Sequence, residues 1–109
     1  MTPRQTPQSL LIAALGGEGG GVLADWIVAA ALRVGLPVQA TSVPGVAQRT
    51  GSTSYYLEFG PEAVPPGRQP VFALLPVPGH VDTVLASELS EAGRMAERGF
   101  VSAHRTWLI

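Results

Sequence analysis

A distinctive group of hydrogen-bonding side chains lies in Pro44-Gly45-Val46-Ala47-Gln48-Arg49-Thr50-Gly51-Ser52, where an amide, a guanidinium and two hydroxyls gather between glycines. Such groups suit an oxyanion or a carbonyl. Arg49 can fork onto a carboxylate or phosphate, with Gln48 and Ser52 fixing the orientation and Gly45 and Gly51 bounding the loop. The same residues also make an internal brace, with Arg49 capping backbone carbonyls or an acidic neighbour, and the residues alone leave both readings open. A second candidate is Gly16-Gly17-Glu18-Gly19-Gly20-Gly21, five glycines in six positions. Between a strand and a helix such a turn offers free amides and a helix dipole to a phosphate. It equally lets the helix pack tightly on the sheet. The dinucleotide fingerprint G-x-G-x-x-G is not met: after Gly17 and Gly19, Val22 stands where the last glycine belongs, and Glu18 brings negative charge. The following strand also ends in Gln39-Ala40-Thr41-Ser42, without an acid for ribose hydroxyls.

Other reactive groups are sparse. His80 follows Pro78-Gly79 and His104 lies near the end, with no third ligand at metal-binding spacing, so both read as surface or structural histidines. Ser52 and Ser54 lack a nearby His or acid and sit in no nucleophile elbow, so independent hydrolysis is not expected. Glu91, Arg94, Glu97 and Arg98 fit a solvated helical face.

The elements that must carry these groups follow from hydrophobic patterning. Leu10 to Leu15 is a continuous apolar run stopping at Gly16, as in a central strand covered on both faces. Val22 to Val34 is Ala- and Leu-rich with only Asp25 and Arg33 charged, and Gly35 with Pro37 supplies a stop, so it reads as a helix. Apolar nearly all round, that helix needs the sheet on one side and a partner surface on the other. Leu36 to Thr41 reads as a second strand, which gives a Rossmann-like first βαβ unit with a right-handed crossover. The polar loop leads into a strand over Thr53 to Phe59, and the four prolines of Pro61 to Pro70 make a stiff connector. Val71 to Leu75 and Val81 to Ala86 read as short strands, separated by Pro76-Val77-Pro78-Gly79. Ser87 is the expected N-cap of a helix from Glu88 to Arg98, with Gly99 terminating it. Phe100 to Ala103 begins a further strand, after which Thr106-Trp107-Leu108-Ile109 is an apolar ending with nothing to cover it. The fold expected is a three-layer α/β/α domain with a mostly parallel sheet, incomplete at its C-terminal end, preceded by a flexible lead over residues 1–8.

Composition narrows the chemistry. The 109 residues, 46% hydrophobic and 14% charged, suffice for one domain. A net charge of −1 gives no basic field for nucleic acid or an anionic membrane. The chain has no Cys, Lys or Asn, which excludes disulfides, thiolate nucleophiles, Schiff bases and a Walker A lysine. The polar start is no signal peptide and the apolar helix falls short of ~20 residues, so a cytoplasmic location is expected.

The segments Gly16–Val22 and Gly45-Val46-Ala47-Gln48-Arg49-Thr50-Gly51-Ser52 resemble the gamma-type domain of 2-oxoacid:ferredoxin oxidoreductases, most of all the beta subunit of the indolepyruvate branch. Val71–Gly79 and Ala86–Arg94 extend the resemblance over nearly the whole chain, although many relatives carry Gly-Gly-Gln-Gly in the turn where this chain has Glu18 and Gly20. The resemblance implies membership of a complex that decarboxylates a 2-oxo acid on thiamine diphosphate, passes electrons through iron–sulfur clusters to ferredoxin and forms an acyl-coenzyme A. Without Cys the chain holds no cluster through thiolates, and without Asn or a Gly-Asp-Gly motif it lacks the usual means of holding thiamine diphosphate through magnesium. The implied role is a non-cofactor subunit docked on a thiamine- and cluster-bearing partner, with Gly45, Gln48, Arg49, Gly51 and Ser52 near substrate, coenzyme A or the partner's active site. Relatives continue beyond this length, so Ile109 is expected to precede further sequence or to pair with another chain. Two other classes remain: a stand-alone nucleotide-binding domain and a purely structural or interaction module.

Overall fold

The computed structural model describes residues 7–15, 19–43, 52–61 and 72–109. Its elements are β1 (Gln8–Leu15), α1 (Gly20–Arg33), β2 (Val38–Ser42), β3 (Ser52–Phe59), β4 (Thr83–Ala86), α2 (Leu89–Glu97) and β5 (Trp107–Leu108). The strands form one sheet in the order β2-β3-β1-β4-β5. β1 runs parallel to β4 and β4 to β5, while β3 lies antiparallel to both β1 and β2. Four of the five strands therefore share a direction, and the sheet is mixed.

The alternation along β1 sorts the two faces. Leu11 and Ala13 turn to one side with Tyr56, Val84, Met95 and Phe100, and Ile12 turns to the other with Ala24 and Leu57. Met95 belongs to α2 and Ala24 to α1, so the helices cover opposite faces and the expected three layers are present. Leu11, Ile12, Leu57 and Val84 are essentially sealed from solvent.

The first βαβ unit departs from expectation. β2 does not lie beside β1, because β3 is inserted between them in the opposite direction. Burial explains the exchange. β3 has residues to bury on both faces, with Tyr56, Leu57 and Ser54 all inaccessible, whereas β2 leaves Ala40 and Ser42 exposed and suits an edge.

Four further expectations are corrected. Phe72 to Leu75 form no strand, because their backbone groups are engaged by side chains instead. Thr41 Oγ1 donates to the Leu74 carbonyl at 2.7 Å, and the Ala73 N–H donates to Glu58 Oε1 at 2.8 Å. Phe100 to Ala103 is not a strand either: Phe100 is buried in the core and the chain turns before β5. Thr106 Oγ1 staples that turn, accepting from the Ser102 N–H at 2.9 Å and donating to the Val81 carbonyl at 2.7 Å. The apolar ending thus contributes an edge strand, and Trp107 and Ile109 stay largely exposed. Finally, Glu88 rather than Ser87 stands at the N-cap of α2, since the Ser87 N–H still donates to Ala13 O at 3.0 Å and prolongs the sheet. Gly99 terminates that helix at φ +84°, as expected. Glu91 is not on a solvated face. It is 1% exposed, one turn before Met95 on the core side, and bound to Arg94 at 2.7 Å.

Gln8 already pairs with Phe59, so the strand begins inside the residues expected to be a flexible lead.

Candidate functional site

Register brings the described ends flanking the two motif segments to one edge of the sheet. Leu15, the last residue of β1, is opposite Ser52, the first of β3, and Ser42, the last of β2, is opposite Tyr55. Ala86 at the end of β4 pairs with Ala13. The segment after β1 and the segment between β2 and β3 therefore both leave from the carboxyl ends of the parallel strands, where α1 and α2 also begin. Open α/β sheets place ligands or partners at that edge.

Of the expected contact loop, Ser52 is described through its backbone at the start of β3, while Gly45, Gln48, Arg49 and Gly51 lie outside the described residues. Of the glycine turn, Gly16 and Gly17 lie outside them, and Gly19, Gly20 and Gly21 are described. Gly19 turns into α1 at φ +80°, a left-handed backbone conformation that side chains disfavour. The Leu23 N–H is bonded back to Gly19 O at 2.9 Å, so the N–H groups of Gly20, Gly21 and Val22 fall in the first turn, which the helix does not satisfy. Among the described residues no side chain caps them, and no acid sits in that turn.

The next two glycines are there for packing. A Cβ on Gly20 would stand 2.9 Å from Ala14 Cβ and 3.2 Å from the Tyr55 ring, and one on Gly21 would stand 3.1 Å from the Tyr55 hydroxyl. Only hydrogen at these positions lets α1 lie this close to β1 and β3. A cavity of about 210 Å³ remains beside them, lined by Ile12, Ala14, Gly19, Gly20, Leu23 and Leu85 among others. Apolar walls with one row of backbone donors can seat a carbonyl or small anionic group.

The opposite end of the sheet holds a polar network that sequence reading missed. Ser9 at the start of β1 and Asp82 just before β4 clasp each other: the Ser9 N–H donates to Asp82 Oδ2 at 2.8 Å, and the Asp82 N–H donates to Ser9 Oγ at 2.9 Å. The Ser9 hydroxyl proton is shared between Asp82 Oδ2 and the His80 carbonyl, each 3.2 Å away. Arg105 Nε completes the group on Asp82 Oδ1 at 3.0 Å. Nearby, the Tyr56 hydroxyl donates to Glu58 Oε2. Ser9, Tyr56, Glu58 and Arg105, with Ala73 and His80, line a cavity of about 310 Å³. Ser9 and Asp82 are 73 residues apart, and no local spacing signals the pair.

Burial first, and then the hydrogen bond to Glu58, push the Tyr56 hydroxyl well above its ordinary value of 10.0. The folded state keeps this proton where the unfolded state releases it, so the support it gives is complete below pH 10 and is lost as pH rises further. Urea titrations on either side of pH 10 should show stability falling in the alkaline range. Tyr56→Phe should cost about 1 kcal/mol near neutrality and flatten that fall. An unchanged alkaline slope in the variant would contradict the assignment.

His80 lies in an exposed turn at the amino-end cavity and His104 in another exposed turn. Among the described residues no group of three His, Cys, Asp or Glu side chains could hold a metal ion, and no helix is long and apolar enough to cross a membrane.

A comparison with curated proteins gives no match to this chain. Comparison with protein families matches residues 9–104 to pyruvate ferredoxin/flavodoxin oxidoreductase, a span running from the start of β1 almost to β5. With the match covering four of the five strands and both helices, the chain belongs to the 2-oxoacid:ferredoxin oxidoreductase family.

Proposed function

We propose that this chain is a non-cofactor component of an indolepyruvate-type 2-oxoacid:ferredoxin oxidoreductase, acting in the cytoplasm by presenting the carboxyl edge of its sheet to a partner subunit. That partner carries thiamine diphosphate, magnesium and iron–sulfur clusters. The complex converts an aryl 2-oxo acid and coenzyme A to acyl-coenzyme A and carbon dioxide, with ferredoxin taking the electrons. One observation carries the reading: a family match over residues 9–104 in a chain that contains no cysteine. A thiolate-held cluster does not fit this chain, so no redox step is assigned to its residues.

What the chain contributes is position. Backbone donors at the start of α1 and the loop bearing Gln48, Arg49 and Ser52 leave from the same sheet edge, which suits holding a carbonyl or an anionic coenzyme group against the partner. The nine-residue loop segment Pro44–Ser52 contains one cation, Arg49, available for a carboxylate or phosphate.

The test is purification of the tagged full chain from its native cells. A co-purifying subunit with bound thiamine diphosphate and clusters, and ferredoxin reduction that depends on 2-oxo acid and coenzyme A, is the expected result. Indolepyruvate should outperform pyruvate. In that complex Arg49→Ala should raise the KM for coenzyme A or oxo acid by about tenfold, the loss of one charge-assisted contact, without changing cluster content. Recovery of the chain with no such companion, or turnover by the chain alone, would refute the proposal.

A further inference from the structure

The outer side of α1 is unusually apolar for a surface helix. Val22, Trp26 and Val34 are 53%, 69% and 79% exposed, and Ala29 and Ala30 are also exposed. These residues fall on two neighbouring rows at four-residue spacing. One is Val22, Trp26, Ala30 and Val34; the other is Asp25, Ala29 and Arg33. Rows of this spacing are surface ridges through which helices contact one another.

The second row is self-complementary. It has a carboxylate at one end, a guanidinium at the other and a methyl group midway, so a two-fold axis near Ala29 places Asp25 of each copy beside Arg33 of the other. Such an axis lies in the interface at right angles to the row, so the row runs antiparallel over its own copy, Ala29 against Ala29, and the opposite charges meet on both sides of the axis at once. Neither Asp25 nor Arg33 makes an ion pair among the described residues, so both are available. The small side chain at Ala29 permits close approach at the crossing, and Trp26 of each copy then covers the flank of the other helix.

We infer that the outer face of α1 binds a second copy of this chain, through a symmetric helix crossing centred on Ala29 with two reciprocal Asp25–Arg33 pairs. A single helix face buries less than the ~1,200 Å² typical of tight complexes, so the association is weak, with a dissociation constant in the micromolar range. It uses a different surface from the carboxyl edge of the sheet, and it does not depend on the reading given there.

The test is sedimentation equilibrium on the full chain over a concentration series reaching several hundred micromolar. The expected species at the top of the series has twice the 11.3 kDa chain mass. Asp25→Arg opposes two guanidinium groups and Arg33→Asp opposes two carboxylates, so each should weaken association at least tenfold. The double variant D25R/R33D should return to within about threefold of the original, and an equimolar mixture of the two single variants should associate better than either alone. Trp26→Glu should leave a monomer. All these positions are exposed, and far-UV circular dichroism of each variant checks that the fold is kept. A chain that remains monomeric throughout, a dimer indifferent to D25R, or a folded double variant that fails to recover would each overturn the inference.

Discussion

Asp82→Ala should destabilise the fold by about 2–4 kcal/mol, among the largest losses expected from any substitution outside the apolar core. The carboxylate accepts from the Ser9 N–H and from Arg105 Nε, and its removal leaves a buried backbone donor at the start of β1 without its acceptor. Arg105→Ala is the informative comparison. That side chain is 43% exposed, so its loss should cost less than about 1 kcal/mol. Urea denaturation of the two variants measures the ratio directly. Equal costs would mean that the ion pair, and not the clasp on Ser9, is what holds the ends of β1 and β4 together.

Gly20→Ala should lower stability by about 1–3 kcal/mol through overpacking, although alanine inside a helix ordinarily gains about 1 kcal/mol over glycine. The new methyl would meet Ala14 Cβ at 2.9 Å and the Tyr55 ring at 3.2 Å, and neither wall can withdraw without moving a strand. Ala14→Gly removes one wall. The double variant should therefore be more stable than the sum of the single changes, by about 1 kcal/mol. Additive losses would show that α1 shifts freely and that the glycine turn is not tied to packing.

These expectations rest on features of unequal legibility. β1 and α1 could be read because a continuous apolar run, a glycine turn and an Ala-rich stretch each have one local cause, and none of their bounds moved by more than two residues. Strand order could not, since it was decided by which of two segments had more to bury: Tyr55, Leu57 and Phe59 on one face of β3 and Tyr56 on the other outweigh the polar β2. Residues 72–75 looked like a strand by composition, but their bonds run to Thr41 and Glu58 side chains, which pattern reading does not see. Glu91 looked solvated because its charge was weighed ahead of its place four residues before Met95. For the site, strand register brings the described ends of the two motif segments to one edge, while Gly45, Gln48, Arg49 and Gly51 lie outside the described residues. The Ser9–Asp82 clasp joins positions too distant for any motif to record.

The insertion of β3 also bears on how the polypeptide emerges from the ribosome. When only β1, α1 and β2 have been made, the first and last of these have no hydrogen-bonding neighbour, for the gap between them is two interstrand spacings, roughly 10 Å. The helix has two separate ribbons to cover and no continuous platform. Until residue 59 is out, the nascent chain should expose apolar surface, and this interval is when a holding chaperone would have most to bind.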